Sequence, residues 1–358
     1  MTPQTDLRPL SAAQAQAWKD RVLPAAERIA DGTWAVPVPI PDNPLRYTYC
    51  YLLEADDGVA VVDPGWDGDA RLQALLEGLA GAGYTPADIV GIVVTHYHRD
   101  HLGLVPALLS LRPGAWLALH DHDIESVQAF RARSSRTSRA SLMELGANLG
   151  VPATRIEELA SSFAGKARSA SADRTVFAFD WPDGLMRVAD GQLLPIAGRR
   201  IRVLWTPGHT FGHIALHDEE AQTLFSGDHV LPSISPNIGL DVTSIGHSLG
   251  DYLGSLARMR ELPEDVAVAP AHGFRFDGLR IRADQLVAHH DQRLDELRAR
   301  AAATDDLSVY SMCQGMEWAR GFEGLTGFQL YAALMETAAH MHYLDMRVPS
   351  LDGSTKED

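Results

Sequence analysis

Within VVTHYHRDHLGLV, residues 93–105, the side chains of His96, His98, Asp100 and His101 are packed into six consecutive positions directly behind an apolar run. Imidazoles and carboxylates crowded in this way each need water or a partner. Either the stretch is a solvated polar loop, or the four side chains share a strongly attracting centre. Three further polar spots recur where apolar runs end: His209 in TPGHT, Asp228 in FSGDHVL and His272 in APAHG. Imidazole and carboxylate are the ligand types of Zn²⁺ and related first-row ions. Two neighbouring ions need a bridging anion and roughly three further protein ligands each. Five histidines and two aspartates, one of them shared, meet that count. A single mononuclear centre leaves several of them unexplained.

The elements that must position these residues are legible in outline. TWAVPVPI, YTYCYLLEA and GVAVVDPGW are short β-branched and aromatic runs divided by turn residues, and they predict consecutive strands. A helical pattern over 67–81 precedes a buried strand, DIVGIVVTH, so the first motif falls in the loop at a strand's C-terminal end. Ligands gather there in open α/β sheets. Residues 101–112 predict a helix and AWLALH a strand. From 124 to about 180 the chain becomes a helical insertion, with a capping box from Thr154 to Glu157. Strands return from residue 185, and a helix near 248–260 and the strand VAVAPAHG complete a second α/β half. Residues 279–348 predict a C-terminal helical domain, whose last helix has an apolar stripe through Phe328, Tyr331, Met335, Ala338 and Met341. The first 28 residues predict a helical lead-in, and 349–358 a flexible tail.

In its H-x-H-x-D-H motif, followed in order by a lone His, Asp and His, the chain resembles the metallo-β-lactamase superfamily, most closely its glyoxalase II (hydroxyacylglutathione hydrolase)-like branch. VVDPG around Asp63 matches the family's first motif. The resemblance covers residues 30–275 and implies a four-layer αββα sandwich at 29–278, to which the insertion and the C-terminal helices are added. It implies that His96, His98 and His209 hold one metal ion, and that Asp100, His101 and His272 hold a second. Asp228 bridges the pair, with Asp100 and Asp228 the carboxylates of the catalytic centre. The ions are expected to be zinc, with iron or manganese as alternatives. Asp63 is implied to support the ligand loops through hydrogen bonds. His213 and His229 lie beside ligand positions, but the ligand count is complete without them, so they are expected to play supporting roles. His122, His217, His247, His289, His290, His340 and His342 are read as surface or packing residues.

Two divalent ions acidify a shared water and stabilise an oxyanion, replacing a serine nucleophile and its oxyanion hole. A thiolate leaves with little help, because a thiol pKa is roughly 8.5. A thioester or ester of a small acyl substrate is therefore the expected target. A lactone of the N-acyl homoserine type is the alternative, followed by RNA processing and last by a non-catalytic scaffold. The insertion carries Arg133, Arg136 and Arg139, which read either as a solvated helical face or as a lid that grips an anionic tail. The formal charge of −16 disfavours nucleic acid and anionic membrane as partners. Cys50 and Cys313 are too few for a disulfide framework. The N-terminus lacks the apolar core of a signal peptide, and a cytoplasmic protein is expected.

Overall fold

The computed structural model describes residues 7–134, 139–167, 179–240 and 247–349. Two sheets face each other. One has seven strands in the order β2 (Glu27–Ala30), β3 (Thr33–Pro39), β4 (Tyr47–Ala55), β5 (Gly58–Val62), β6 (Ile89–Val93), β7 (Trp116–His120) and β8 (Leu185–Val188). The other runs β1 (Arg8–Pro9), β13 (Phe276–Asp277), β12 (Ala267–Pro270), β11 (Thr223–Gly227), β10 (Ile214–Asp218) and β9 (Ile201–Trp205).

Alternation along β4 shows why the layers stack. Tyr47, Tyr49, Tyr51 and Leu53 pack with Ile201, Val203, Ile214, Leu216 and Phe225 of the facing sheet. Cys50 and Leu52, on the opposite face, pack with Leu75 and Leu79 of the Asp69–Gly81 helix. With a period of two, each strand serves two cores. Behind the other sheet, Ala215, Leu224 and Val268 pack against Leu249, Tyr252 and Leu256 of the Ser248–Met259 helix and Leu279 and Ala283 of the Leu279–Ala302 helix. The order is helix, sheet, sheet, helix, the predicted four-layer α/β arrangement.

Both sheets deliver strand ends to one rim. β5, β6 and β7 are parallel neighbours, and so are β11 and β12. β9 runs antiparallel to β10, which runs antiparallel to β11, so β9, β11 and β12 point the same way. Hydrogen bonds stitch the sheets at that rim: Tyr49 N donates to Ala271 O (2.8 Å), Ile214 N to Thr95 O (2.9 Å) and the Tyr51 hydroxyl to Pro270 O (2.7 Å).

Several elements depart from the sequence expectations. The lead-in contains the predicted helix, Ala12–Asp20, but β1 and β2 flank it and join opposite sheets. Two residues of β1 and the polar ERIA of β2 carry no hydrophobic alternation to betray them. The insertion helix starts at Ala153, which puts Thr154 inside the first turn rather than at the cap. Helices Asp121–Ser134 and Arg139–Asn148 precede it. Leu149, Val151 and Ile156 share one apolar cluster with Met312, Cys313, Leu330, Leu334 and Ala338, so the insertion docks on the C-terminal helices. The last helix, Gly327–Tyr343, buries Leu330, Ala333, Leu334, Met335, Ala338 and Met341, whereas Phe328 is 55% exposed. The buried stripe is thus displaced from the predicted one at its start. The tail from residue 350 lies outside the described residues. Both cysteines are buried and unpaired. No helix among the described residues is long and apolar enough to cross a membrane.

Candidate metal centre

His96 and His98 stand in the loop after β6, and His98 caps the short Arg99–Leu102 helix that carries Asp100 and His101. His209 follows β9, Asp228 follows β11 and His272 follows β12. All seven predicted residues thus meet at the common rim. His98 Nδ1 lies 3.0 Å from both His96 Nε2 and His209 Nε2. Across the centre, His272 Nε2 lies 3.4 Å from Asp100 Oδ2 and 3.2 Å from Asp228 Oδ1. His101 Nε2 is 3.9 Å from Asp100 Oδ2 and 3.7 Å from Asp228 Oδ1. The other oxygen of Asp228 looks toward the first trio, 3.6 Å from His209 Nε2.

The outer ring nitrogens set the tautomers. His101 Nδ1 donates to Asp63 Oδ2 (2.9 Å), His209 Nδ1 to the Asn237 carbonyl (2.8 Å) and His272 Nδ1 to the Tyr47 carbonyl (2.8 Å). Thr95 Oγ1 donates to Asp63 Oδ2 (2.8 Å), which leaves its own lone pair for His96 Nδ1 at 3.2 Å. Each of these four rings therefore turns its Nε2 inward.

Bare lone pairs 3.0 Å apart repel unless a cation or a proton sits among them. Burial, reinforced by neighbouring imidazoles, pushes the pKa of His96 and His209 down and that of His98 down to about 3, so protons are disfavoured there. On the other side, against the effect of burial, Asp63, Asp100 and Asp228 raise His101 to about 9, and Asp228 and Asp100 raise His272. Despite burial, those imidazoles hold Asp100 at about 2 and Asp228 well below the usual carboxylate range. His101 Nε2, His272 Nε2 and Asp228 Oδ1 are buried without hydrogen-bond partners. Neutral imidazoles in the first trio, ionised carboxylates and orphaned inward atoms fit divalent cations. The groups His96–His98–His209, His96–His101–Asp228 and Asp100–His101–His272 each bring ligand atoms within 4.8 Å of one another.

The supporting residues divide. Asp63 is 2% exposed and accepts from Thr95 N (2.7 Å), the Thr95 hydroxyl and His101, with φ at +51°. His213 is buried between Thr206 Oγ1 (2.7 Å from Nδ1) and the Asp228 backbone N–H, which donates to its Nε2 at 3.1 Å. Its second nitrogen thus meets the backbone of Asp228, not the centre. Gly227 makes this approach possible: a Cβ there would lie 2.7 Å from His213 Nε2 and 2.9 Å from Thr95 Oγ1. His229 is buried edge-on to Tyr252, with ring centroids 5.0 Å apart.

Asp123 escaped sequence reasoning. Its buried carboxylate accepts from Tyr97 N (2.8 Å), Thr210 Oγ1 (3.1 Å) and Gly212 N (2.9 Å), joining the two histidine loops. A solitary Asp at a helix start carries no motif that would have singled it out. The side chains of Arg133, Arg136 and Arg139 lie outside the described residues. Of the neighbouring basic residues, Arg131 donates to Phe179 O (2.6 Å), and Arg155 pairs with Glu323 (3.6 Å) and binds Leu325 O. Those two arginines are engaged within the fold.

The family model of the metallo-beta-lactamase superfamily matches residues 43–272, well over half of the chain. This chain belongs to that superfamily. Its relatives include the probable metallo-hydrolase YqjP of Bacillus subtilis, 26% identical over 82% of this chain and 86% of the relative. A hydroxyacylglutathione hydrolase of Synechococcus sp. is 29% identical over 66% of this chain and 68% of the relative. Among solved structures, a metallo-beta-lactamase family protein from Thermus thermophilus superposes with a TM-score of 0.71 at 30% identity, covering 89% of this chain and 94% of the other. A beta-lactamase domain protein from Burkholderia ambifaria gives 0.69 at 26% identity, covering 94% and 92%. Like the metallo-beta-lactamase superfamily hydrolases it resembles, the chain is a metal-dependent hydrolase with candidate His/Asp metal sites.

Proposed function

We propose that the protein is a dinuclear hydrolase that cleaves a thioester or ester bond of a small acyl substrate. In this reading His96, His98 and His209 hold one ion, Asp100, His101 and His272 hold the other, and Asp228 bridges them. One observation carries it: the two oxygens of the Asp228 carboxylate face opposite trios. Zinc suits an imidazole-rich set with few carboxylates, ahead of iron or manganese. Two bound cations lower the pKa of water and stabilise negative charge developing on a carbonyl oxygen.

The chain's own groups prepare that chemistry. Asp63, Asn237 and Tyr47 hold donor nitrogens turned inward, so no imidazole has to change tautomer when the centre forms. Asp100 and Asp228 stay ionised through neutral pH and balance the positive charge. Among the described residues no side chain is assigned as a proton donor to a poor leaving group, which favours a thiolate over an amine. The name hydroxyacylglutathione hydrolase, borne by several relatives, denotes an acyl group carried on a thiol. Arg133, Arg136 and Arg139 are proposed to grip an anionic tail of such a substrate.

The test has two parts. Elemental analysis of natively purified protein should find two transition-metal ions per chain; a metal-free, inactive protein would sink the reading. Matched thioester, ester, lactone and amide panels should then rank the thioester first and the amide last. An amide turned over fastest removes the leaving-group argument.

A further inference from the structure

The loop that follows Asp228 is held from outside the two sheets. The Arg282 side chain, in the Leu279–Ala302 helix, is buried, yet makes no ion pair among the described residues. It donates instead to two carbonyls of that loop, Leu231 O at 2.6 Å from Nε and Ile234 O at 2.8 Å. Six residues beyond Leu231 stands Asn237, whose carbonyl accepts the His209 Nδ1 proton at 2.8 Å. The Asn237 side chain is gripped by the last helix: Nδ2 donates to Glu336 Oε2 at 3.1 Å, and Leu240 N donates to Met335 O at 3.1 Å. A backbone carbonyl is only as well placed as the segment that carries it. Here two separate helices fix that segment.

We propose that the C-terminal helices are positioning elements of the metal centre, with Arg282 and Glu336 holding the 229–240 loop so that the Asn237 carbonyl locks His209 with its Nε2 facing His98. The inference deepens the dinuclear reading and rests on it. Arg282 and Glu336 touch neither substrate nor metal; they act through Asn237. Groups that orient a ligand from behind typically contribute 10–100-fold in metal affinity.

The full-length protein is used throughout. Affinities for both ions are measured by competition with a chromophoric chelator, and ligand geometry is read from the visible spectrum of the cobalt-loaded protein. Glu336→Ala should weaken one ion by about 10-fold and shift the cobalt bands, while the other ion is held as before. Glu336→Gln keeps an acceptor for Asn237 Nδ2 and should restore both readouts. Asn237→Asp replaces the donor with a second acceptor facing Glu336 and should reproduce the Glu336→Ala loss. Arg282→Met should weaken the same ion, and circular dichroism reports whether its fold is intact. Unchanged affinities and spectrum in Glu336→Ala and Asn237→Asp, with two ions bound by the wild type, overturn the inference alone. A wild type that binds fewer than two ions overturns the dinuclear reading and the inference with it. Failure of Glu336→Gln to rescue also counts against it, because charge rather than hydrogen bonding would then be what Glu336 supplies.

Discussion

Asp63 sits in the left-handed region of backbone space, where a non-glycine residue is uncommon, and its carboxylate accepts three hydrogen bonds. Asn tolerates that backbone conformation, so Asp63→Asn should fold normally. Its amide nitrogen, however, is a donor and can accept from neither the Thr95 hydroxyl nor His101. Both must yield, and a His101 ring that changes tautomer puts a proton on Nε2, where a lone pair is needed. The expected outcome is a 10–100-fold loss of affinity for the ion nearest His101, with unchanged circular dichroism. Chelator competition against the wild type measures it, and equal affinities would remove Asp63 from the supporting set. At this scale the sequence was most readable where chemistry is local. Four of the seven candidate ligands fall within six positions, and the other three lie in short Gly-flanked turns. What could not be read are the partners that act through main-chain atoms. Nothing about the side chains of Asn237 or Tyr47 announces that their carbonyls orient imidazoles.

Among the elements, Asp123 is the clearest hinge pin. It stands in the first turn of the Asp121–Ser134 helix and binds the His96–His98 loop and the His209 loop together. Gly212 leaves room for it, since a Cβ there would lie 2.4 Å from Asp123 N. Asp123→Ala strands three donors in a buried place, each worth about 1 kcal/mol or more, so the fold should lose roughly 3 kcal/mol. Urea unfolding of the variant against the wild type checks the figure; a loss below about 1 kcal/mol would mean that the loops keep each other in place without it. Strands and helices with strong periodicity were legible, as in β3 to β7 and the Ser248–Met259 helix. β1 and β13 were not, because a two-residue strand has no period to detect. Phe328 misled at the helix start, where it is exposed, whereas Met335, Ala338 and Met341 of the stripe counted from it do pack in the cluster of Leu149 and Met312.

For the whole molecule, buried imidazoles make stability depend on pH in both directions. Burial holds His98 and His229 at about 3, His340 at about 4 and His290 at about 2, whereas an unfolded imidazole titrates near ~6.5. Below that value the unfolded chain binds protons that the folded chain refuses, so stability falls as the pH drops. His101 behaves oppositely. Its proton is retained to about 9 by Asp63, Asp100 and Asp228, and the stability it brings is lost as pH rises from ~6.5 through that value. Metal-free protein at fixed ionic strength should therefore show its highest urea midpoint near neutrality, with a decline on either side. A midpoint that climbs steadily to pH 9 contradicts the assignment of His101.

β1 and β2 belong to one short N-terminal segment, yet they finish opposite sheets. The span shared with the superfamily, 43–272, begins after β2 and β3 and ends before β13. A molecule cut to those limits would present β4, with its YTYCYLL run, and β12 as bare flanks with unpaired amides and carbonyls. Such fragments should stick to one another, visible as light scattering that grows with concentration. In this protein β2 and β3 on one sheet, and β1 and β13 on the other, act as a clasp that covers both flanks.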